Sequence, residues 1–248
     1  MEERPVMKTL VIDQMPQLPF QVSEAINQLR INLGFCGSQI KTIMITSSVP
    51  NEGKSFLTIQ LWKRMAEVGT PVLLLDCDFR NSEMRRKYGI RSTDGGKLLG
   101  AAHCLAGQAQ LEDVIYSTNI PQGYMIPVAS TIANPTILLE SPRFARMLED
   151  CAGRFGCVLV DTPPLGSVAD GLNIARYCDG SVLVVRCGST PRRLVHNSVQ
   201  LLGRTGKPLL GVALNRANAG GGAGGYYYRY YGGSYDHTHD TNGKEGGK

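Results

Sequence analysis

Gly53, Lys54 and Ser55 close the run Ser47-Ser-Val-Pro-Asn-Glu-Gly-Lys-Ser55, with a strand-like segment before it and a helical pattern after it. Strand, loop and helix in that order make a phosphate cradle. Loop amides and the helix N-terminus direct N–H donors at the anion, and the helix dipole adds to the attraction. Lys54 is placed to reach the β- and γ-phosphates, and the Ser55 hydroxyl to ligate Mg²⁺. Ser48 stands where the phosphate-loop pattern has its first glycine. A serine serves there only if the backbone keeps a negative φ.

Two acidic segments extend the chemistry. Val72-Leu-Leu-Leu-Asp76-Cys-Asp78-Phe-Arg80 and Val158-Leu-Val-Asp161-Thr-Pro-Pro164 are apolar runs that end in carboxylates. In an open parallel sheet, ligands sit at the carboxyl ends of the strands. Asp76, Asp78 and Asp161 should therefore lie beside the lysine loop, where they can hold Mg²⁺ or accept a proton.

These groups need a scaffold. Short, continuous hydrophobic runs at Thr42–Thr46, Val72–Asp76, Tyr124–Val128, Cys157–Asp161, Ser181–Arg186 and Leu209–Asn215 fit strands buried on both faces. Helical patterns at Ser55–Val68, Pro142–Gly153, Asp170–Cys178 and Pro191–Arg204 alternate with them. The alternation predicts an α/β fold, a mainly parallel sheet flanked by helices. Gly95–Gln122 reads as a helical insertion.

The 248 residues carry a formal charge of +5 with no basic stripe, so no nucleic-acid partner is expected. Seven cysteines with no C-x-x-C pair argue against a disulfide frame or zinc site and favour a reducing cytoplasm. No apolar run has the ~18–20 residues of a spanning helix, so work at a membrane requires recruitment. After Asn218 the composition changes. Residues 219–248 hold six of the ten tyrosines, Tyr226, Tyr227, Tyr228, Tyr230, Tyr231 and Tyr235, among glycines and almost no aliphatic side chain. We therefore expect a folded domain over 1–218 and a flexible, disordered tail over 219–248. About 16 flexible residues reach roughly 20–25 Å, comparable with the radius of the folded part, so the tail can enter a neighbour's active site.

Together these segments resemble the bacterial tyrosine kinases of capsule and exopolysaccharide synthesis. The matching pieces are Pro50-Asn-Glu-Gly-Lys-Ser55, Leu73–Arg80, Val158–Pro164 and the closing tyrosine cluster. The resemblance implies a P-loop fold of the MinD/ParA type. It implies ATP bound by Pro50, Asn51, Glu52, Gly53, Lys54, Ser55, Phe56 and Arg80, with Asn215 at the adenine. It also implies Mg²⁺ held through Ser55, Asp78 and Asp161, and Asp76 as the base for tail tyrosines. The expected activity is phosphorylation of the tail between subunits, as a control on polysaccharide polymerisation and export. Implied partners are a transmembrane polysaccharide co-polymerase that activates the kinase, a tyrosine phosphatase, and further copies of the chain. The family's oligomerisation motif Glu-x-x-Arg-x-x-Arg appears as Glu24 to Arg30 with Asn27 replacing the first arginine. Glu24 and Arg30 are expected to share a helical face.

Two other readings compete. A MinD/ParA-like partitioning ATPase would carry a lysine at position 49, which is Val49 here. A non-catalytic ATP-binding regulator would draw support from Asn27 and Ser48, yet every residue the chemistry needs is present.

Overall fold

The computed structural model describes residues 7–217. The compact unit runs through Asn215, and the chain from Arg216 onward forms a separate unit of which only two residues are described. The tyrosine cluster and the tail expected from residue 219 lie outside the described residues.

Among the described residues, nine strands form one sheet. They are β1 (Thr9–Ile12), β2 (Thr42–Ser47), β3 (Val72–Asp76), β4 (Ile90–Ser92), β5 (Tyr116–Thr118), β6 (Gly123–Ile126), β7 (Cys157–Asp161), β8 (Gly180–Arg186) and β9 (Leu209–Asn215). Their spatial order is β4-β1-β5-β6-β3-β7-β2-β8-β9. Every neighbouring pair from β6 to β9 is parallel, and β1 also pairs parallel with β5. Only β1–β4 and β5–β6 run antiparallel.

The apolar runs of β2, β3, β7 and β8 divide residue by residue between the two faces. Met44, Leu73, Leu75, Val158, Val160, Leu183 and Val185 enter one core. Ile43, Ile45, Val72, Leu74, Leu159, Val182 and Val184 enter the other. Successive side chains on a strand point oppositely, so a strand covered on both faces must be apolar throughout. On the first face lie α7 (Pro142–Arg154), contributing Phe144, Met147, Leu148 and Cys151, with α8 (Asp170–Ala175) and α9 (Arg192–Gly203). The opposite face is covered by α2 (Lys54–Glu67) through Ile59, Leu61 and Trp62, and α1 (Phe20–Gly34) adds Ile26 and Leu33 to that core. The Trp62 indole N–H donates to the carbonyls of Val72 and Tyr124 at 3.1 and 3.0 Å, anchoring α2 across β3 and β6.

Two sequence expectations change. The Gly95–Gln122 insertion holds only short helices, α4 (Ala101–Leu105) and α5 (Leu111–Val114), and its end is the strand β5. Tyr116, Ser117 and Thr118 extend because β1 and β6 present unpaired edges on either side of them. The run Leu209–Asn215, expected to be buried on both faces, is the edge strand β9 and holds no buried residue. On α1, the Arg30 guanidinium donates to Asn27 Oδ1 at 3.1 and 3.2 Å, three residues back on the helix.

Candidate active site

The central strands β3 and β7 end level with each other, and β2 runs two residues further. Asp76 pairs with Asp161 and Asp161 with Ile45, so both carboxylates sit where β2 runs into the phosphate loop. Two left-handed residues bend that loop, Asn51 at φ 66° and Gly53 at φ 93°. Asparagine tolerates this region better than most side chains. Ser48 keeps a negative φ and is buried, its hydroxyl 2.9 Å from that of Ser198 on α9.

Glu52 holds the loop in shape. Its buried carboxylate accepts from the Val49 amide at 2.8 Å, from the Arg186 amide at 3.1 Å and from the Thr190 hydroxyl. The loop is thereby tied to the end of β8. Asn215, at the end of β9, donates to the Glu52 carbonyl at 2.8 Å. Its amide lies so close to Gly53 that a Cβ there would collide with it. Behind the loop, the Leu165 and Gly166 amides donate to the carbonyls of Ser47 and Ser48 at 2.9 and 3.0 Å. The end of β8, the Asn215 side chain of β9 and the loop after β7 thus brace the cradle.

Lys54 opens α2, and its ammonium meets Asp78 Oδ2 at 3.0 Å and Ser55 Oγ at 3.2 Å. Asp161 accepts from the Thr58 hydroxyl at 3.1 Å, one turn along α2. Asp76 accepts from the Asp78 amide at 3.1 Å and from the Ser82 hydroxyl. All three carboxylates are buried.

Burial, then the neighbouring Asp161 charge, pushes Asp76 up to about 7, although Ser82 and the Asp78 amide pull the other way. Burial also raises Asp161, against the pull of Lys54 and the Ser55 and Thr58 hydroxyls. For Lys54, burial opposes the charged form. Asp161 and Asp78 outweigh it, with Asp76 adding to them, so its pKa rises. One ammonium facing three buried carboxylates leaves an excess of negative charge. This donor set suits a divalent cation. No cluster of three or more His, Cys, Asp or Glu able to cage a metal occurs among the described residues. A magnesium ion shared with phosphate oxygens needs only one or two carboxylates.

Of the residues singled out in the sequence, Glu52, Gly53, Lys54, Ser55, Asp76, Asp78, Asp161 and Asn215 converge on this strand edge. Pro50 and Asn51 lie exposed at the tip of the loop, and Phe56 is half-buried in the first turn of α2. The Arg80 guanidinium donates to Asp170 at 2.6 Å, to the Ala133 carbonyl at 2.7 Å and to Thr136 Oγ1 at 3.3 Å. Ser82, Thr58, Thr190, Ser198 and Asp170 were not foreseen. Thr58, Thr190, Ser198 and Asp170 are common polar residues whose partners are 90 or more residues away, so no local spacing could mark them. Ser82 is six residues from Asp76 in an irregular turn that sequence spacing does not specify.

A phosphate loop at the carboxyl edge of a mainly parallel sheet, facing strand-end aspartates, defines the P-loop fold of the MinD/ParA type. MinD from Pyrococcus horikoshii, solved as a complex with Mg-ADP, shares the fold with a TM-score of 0.62 over 72% of this chain and 71% of its own. No family model matches the chain. The tyrosine-protein kinase CpsD of Streptococcus pneumoniae serotype 4 is 36% identical over 212 residues, 85% of this chain and 91% of the relative. CpsD of Streptococcus agalactiae is 34% identical over 208 residues, 84% and 89% of the two chains. The kinase domain of VpsO superposes with a TM-score of 0.73 at 29% identity, covering 80% of this chain and 95% of that domain. The kinase domain of the Escherichia coli tyrosine kinase ETK gives 0.71 at 27% identity, covering 85% and 86%. The chain belongs to the bacterial tyrosine-protein kinases of capsule biosynthesis.

Proposed function

We propose that this kinase transfers the terminal phosphoryl group of ATP to the tyrosines of its own C-terminal cluster, from Tyr226 to Tyr235, on a neighbouring copy. The single observation behind this reading is Asp76. A buried carboxylate with its pKa near 7 beside a phosphate loop is poised to accept a proton at neutral pH. In the transfer, the tyrosine oxygen bonds to the terminal phosphorus and its proton passes to Asp76. The bond from that phosphorus to the bridging oxygen breaks, and ADP leaves.

Lys54 exchanges Asp78 for phosphate oxygens when the nucleotide enters. Ser55, Asp78 and Asp161 would hold Mg²⁺, which would supply positive charge to neutralise the phosphates. Asn215 contacts the adenine while keeping the Glu52 carbonyl in place. Arg80, latched to Asp170, braces the turn that carries Asp78, a positioning role in place of direct nucleotide contact.

We also infer regulation of polysaccharide polymerisation and export through a transmembrane co-polymerase that activates the kinase and draws it to the membrane, with a tyrosine phosphatase reversing the mark. No helix among the described residues is long and apolar enough to cross a membrane. Assembly into a homo-oligomer would bring each tail to a neighbour's site.

The test is incubation with Mg-ATP and the activator's cytoplasmic segment, followed by mass spectrometry of tail peptides. Phosphate should appear on the cluster and vanish in Lys54→Met. A Lys54→Met chain mixed with active chain should regain it if transfer runs between subunits. A signal that survives in Lys54→Met alone would refute the P-loop mechanism.

A further inference from the structure

Two adjoining cavities open beside the active site, and both are basic. The smaller, about 340 Å³, begins at Ser82, whose hydroxyl holds Asp76, and continues past Arg85 and Arg86. The larger, about 730 Å³, is lined by Arg85, Arg91, Lys97 and His103, with Leu98 and Ala129 as apolar surface. Arg85, Ala129 and Ser130 line both, so the two form one depression leading away from the catalytic carboxylate.

No carboxylate lines either cavity. Asp94, within the same loop, is turned onto the Ser92 hydroxyl at 2.5 Å and the Gly96 amide at 2.9 Å. Arg85 donates to the Ala129 carbonyl at 2.9 Å, and among the described residues neither Arg85 nor Lys97 has an acidic partner. Arg91 and Arg86 pair with Asp13 and Glu83, each at 2.7 Å, in exposed bridges worth little to stability. An incoming dianion can take over both guanidinium groups. His103 accepts the Gly100 amide on Nδ1, which leaves Nε2 as a donor.

We propose that this depression binds a phosphotyrosine of the tail, so that one completed transfer holds the next tyrosine at the site. The inference rests on the tail being the substrate. Its occupant follows from charge and spacing. Around its tyrosines the unmodified tail carries Arg229 and no cluster of acids until Asp236, so it has little to offer a cationic pocket. Each phosphate adds about −1.5 to −2 charge and three acceptor oxygens, which guanidinium groups bind strongly. Tyr231 and Tyr235, like Tyr226 and Tyr230, are four residues apart, about 13 Å in an extended peptide. One can lie at Asp76 while the other reaches along the depression, its ring against Leu98 and Ala129.

The experiment measures binding without transfer. A fluorescent peptide of residues 224–238, either unmodified or phosphorylated at Tyr235 only, is titrated with protein saturated with Mg-ADP to occupy the phosphate loop. The phosphopeptide should bind at least tenfold more tightly than the unmodified one. Arg85→Ala combined with Lys97→Ala should remove that preference while leaving the melting temperature and the first phosphorylation of unmodified peptide unchanged. Equal affinity for the two peptides overturns the proposal. So does a preference untouched by the double substitution, or a double variant that loses only its binding to anionic phosphatidylglycerol vesicles. Because no phosphoryl transfer is needed, absent kinase activity on the tail would count against the substrate assignment and leave this measurement readable.

Discussion

Asp76→Asn isolates the electrostatic state on which the proposed catalysis depends. Burial and the adjacent Asp161 raise Asp76 from its ordinary 3.8 to about 7. Ionising it inside the folded protein therefore costs up to about 4 kcal/mol more than in the unfolded chain. The sign follows from proton counting. Between pH 3.8 and about 7 the unfolded chain has lost this proton while the folded chain keeps it, so the contribution of Asp76 to stability falls as pH rises. Above about 7 the full cost is present.

An asparagine at this position avoids the cost, and its side-chain carbonyl can still accept from the Asp78 amide. Rearranging the bond to Ser82 takes back part of the gain. We expect nucleotide-free Asp76→Asn to be roughly 1–3 kcal/mol more stable than wild type at pH 8, a rise of about 3–10 °C in Tm. The difference should shrink steadily toward pH 5. Kinase activity should fall by about 10²-fold or more, as expected for loss of a general base. Thermal unfolding across this pH range and a phosphotyrosine assay read the two effects. A stability difference independent of pH, or a destabilised variant at pH 8, would refute the account of Asp76 as a carboxylate strained by burial.

Gly53→Ala should abolish Mg-ADP binding in a calorimetric titration and cost about 1–3 kcal/mol, because its left-handed backbone and the Asn215 amide leave no place for a methyl group. Glu52→Gln should destabilise the protein to urea by about 1–3 kcal/mol, since the carboxamide turns at least one donor toward the Val49 amide, the Arg186 amide or the Thr190 hydroxyl. Its nucleotide affinity should weaken with it, and unchanged affinity would show that the loop holds its shape without the staple.

The two strands that carry the carboxylates, β3 and β7, were legible because they are buried on both faces, whereas β9 lies at the sheet edge without a buried residue. Val72–Asp76, Cys157–Asp161 and Leu209–Asn215 coincide with observed strands, and the helix after Gly53 begins at Lys54. A run of apolar residues ending in aspartate announces both a strand and its functional end. The short pieces were not legible. β1, β4 and β5 have three or four residues each and are strands only because they pair with one another across the sheet. Three residues carry too little periodicity to tell a strand from a loop.

Sequence alone determined which groups could handle a nucleotide, because the phosphate loop is a local device: one strand, one turn and one helix, continuous in the chain. Tertiary structure alone decided their electrostatic state and their support. Burial at the sheet edge, then the Asp161 charge that β3 and β7 bring level with it from 85 residues away, pushes Asp76 up to about 7. Arg80 reaches Asp170, and Glu52 reaches Arg186 and Thr190, because the sheet order places those partners there. Such contacts are set by which strands lie side by side, and local residue spacing holds no record of that.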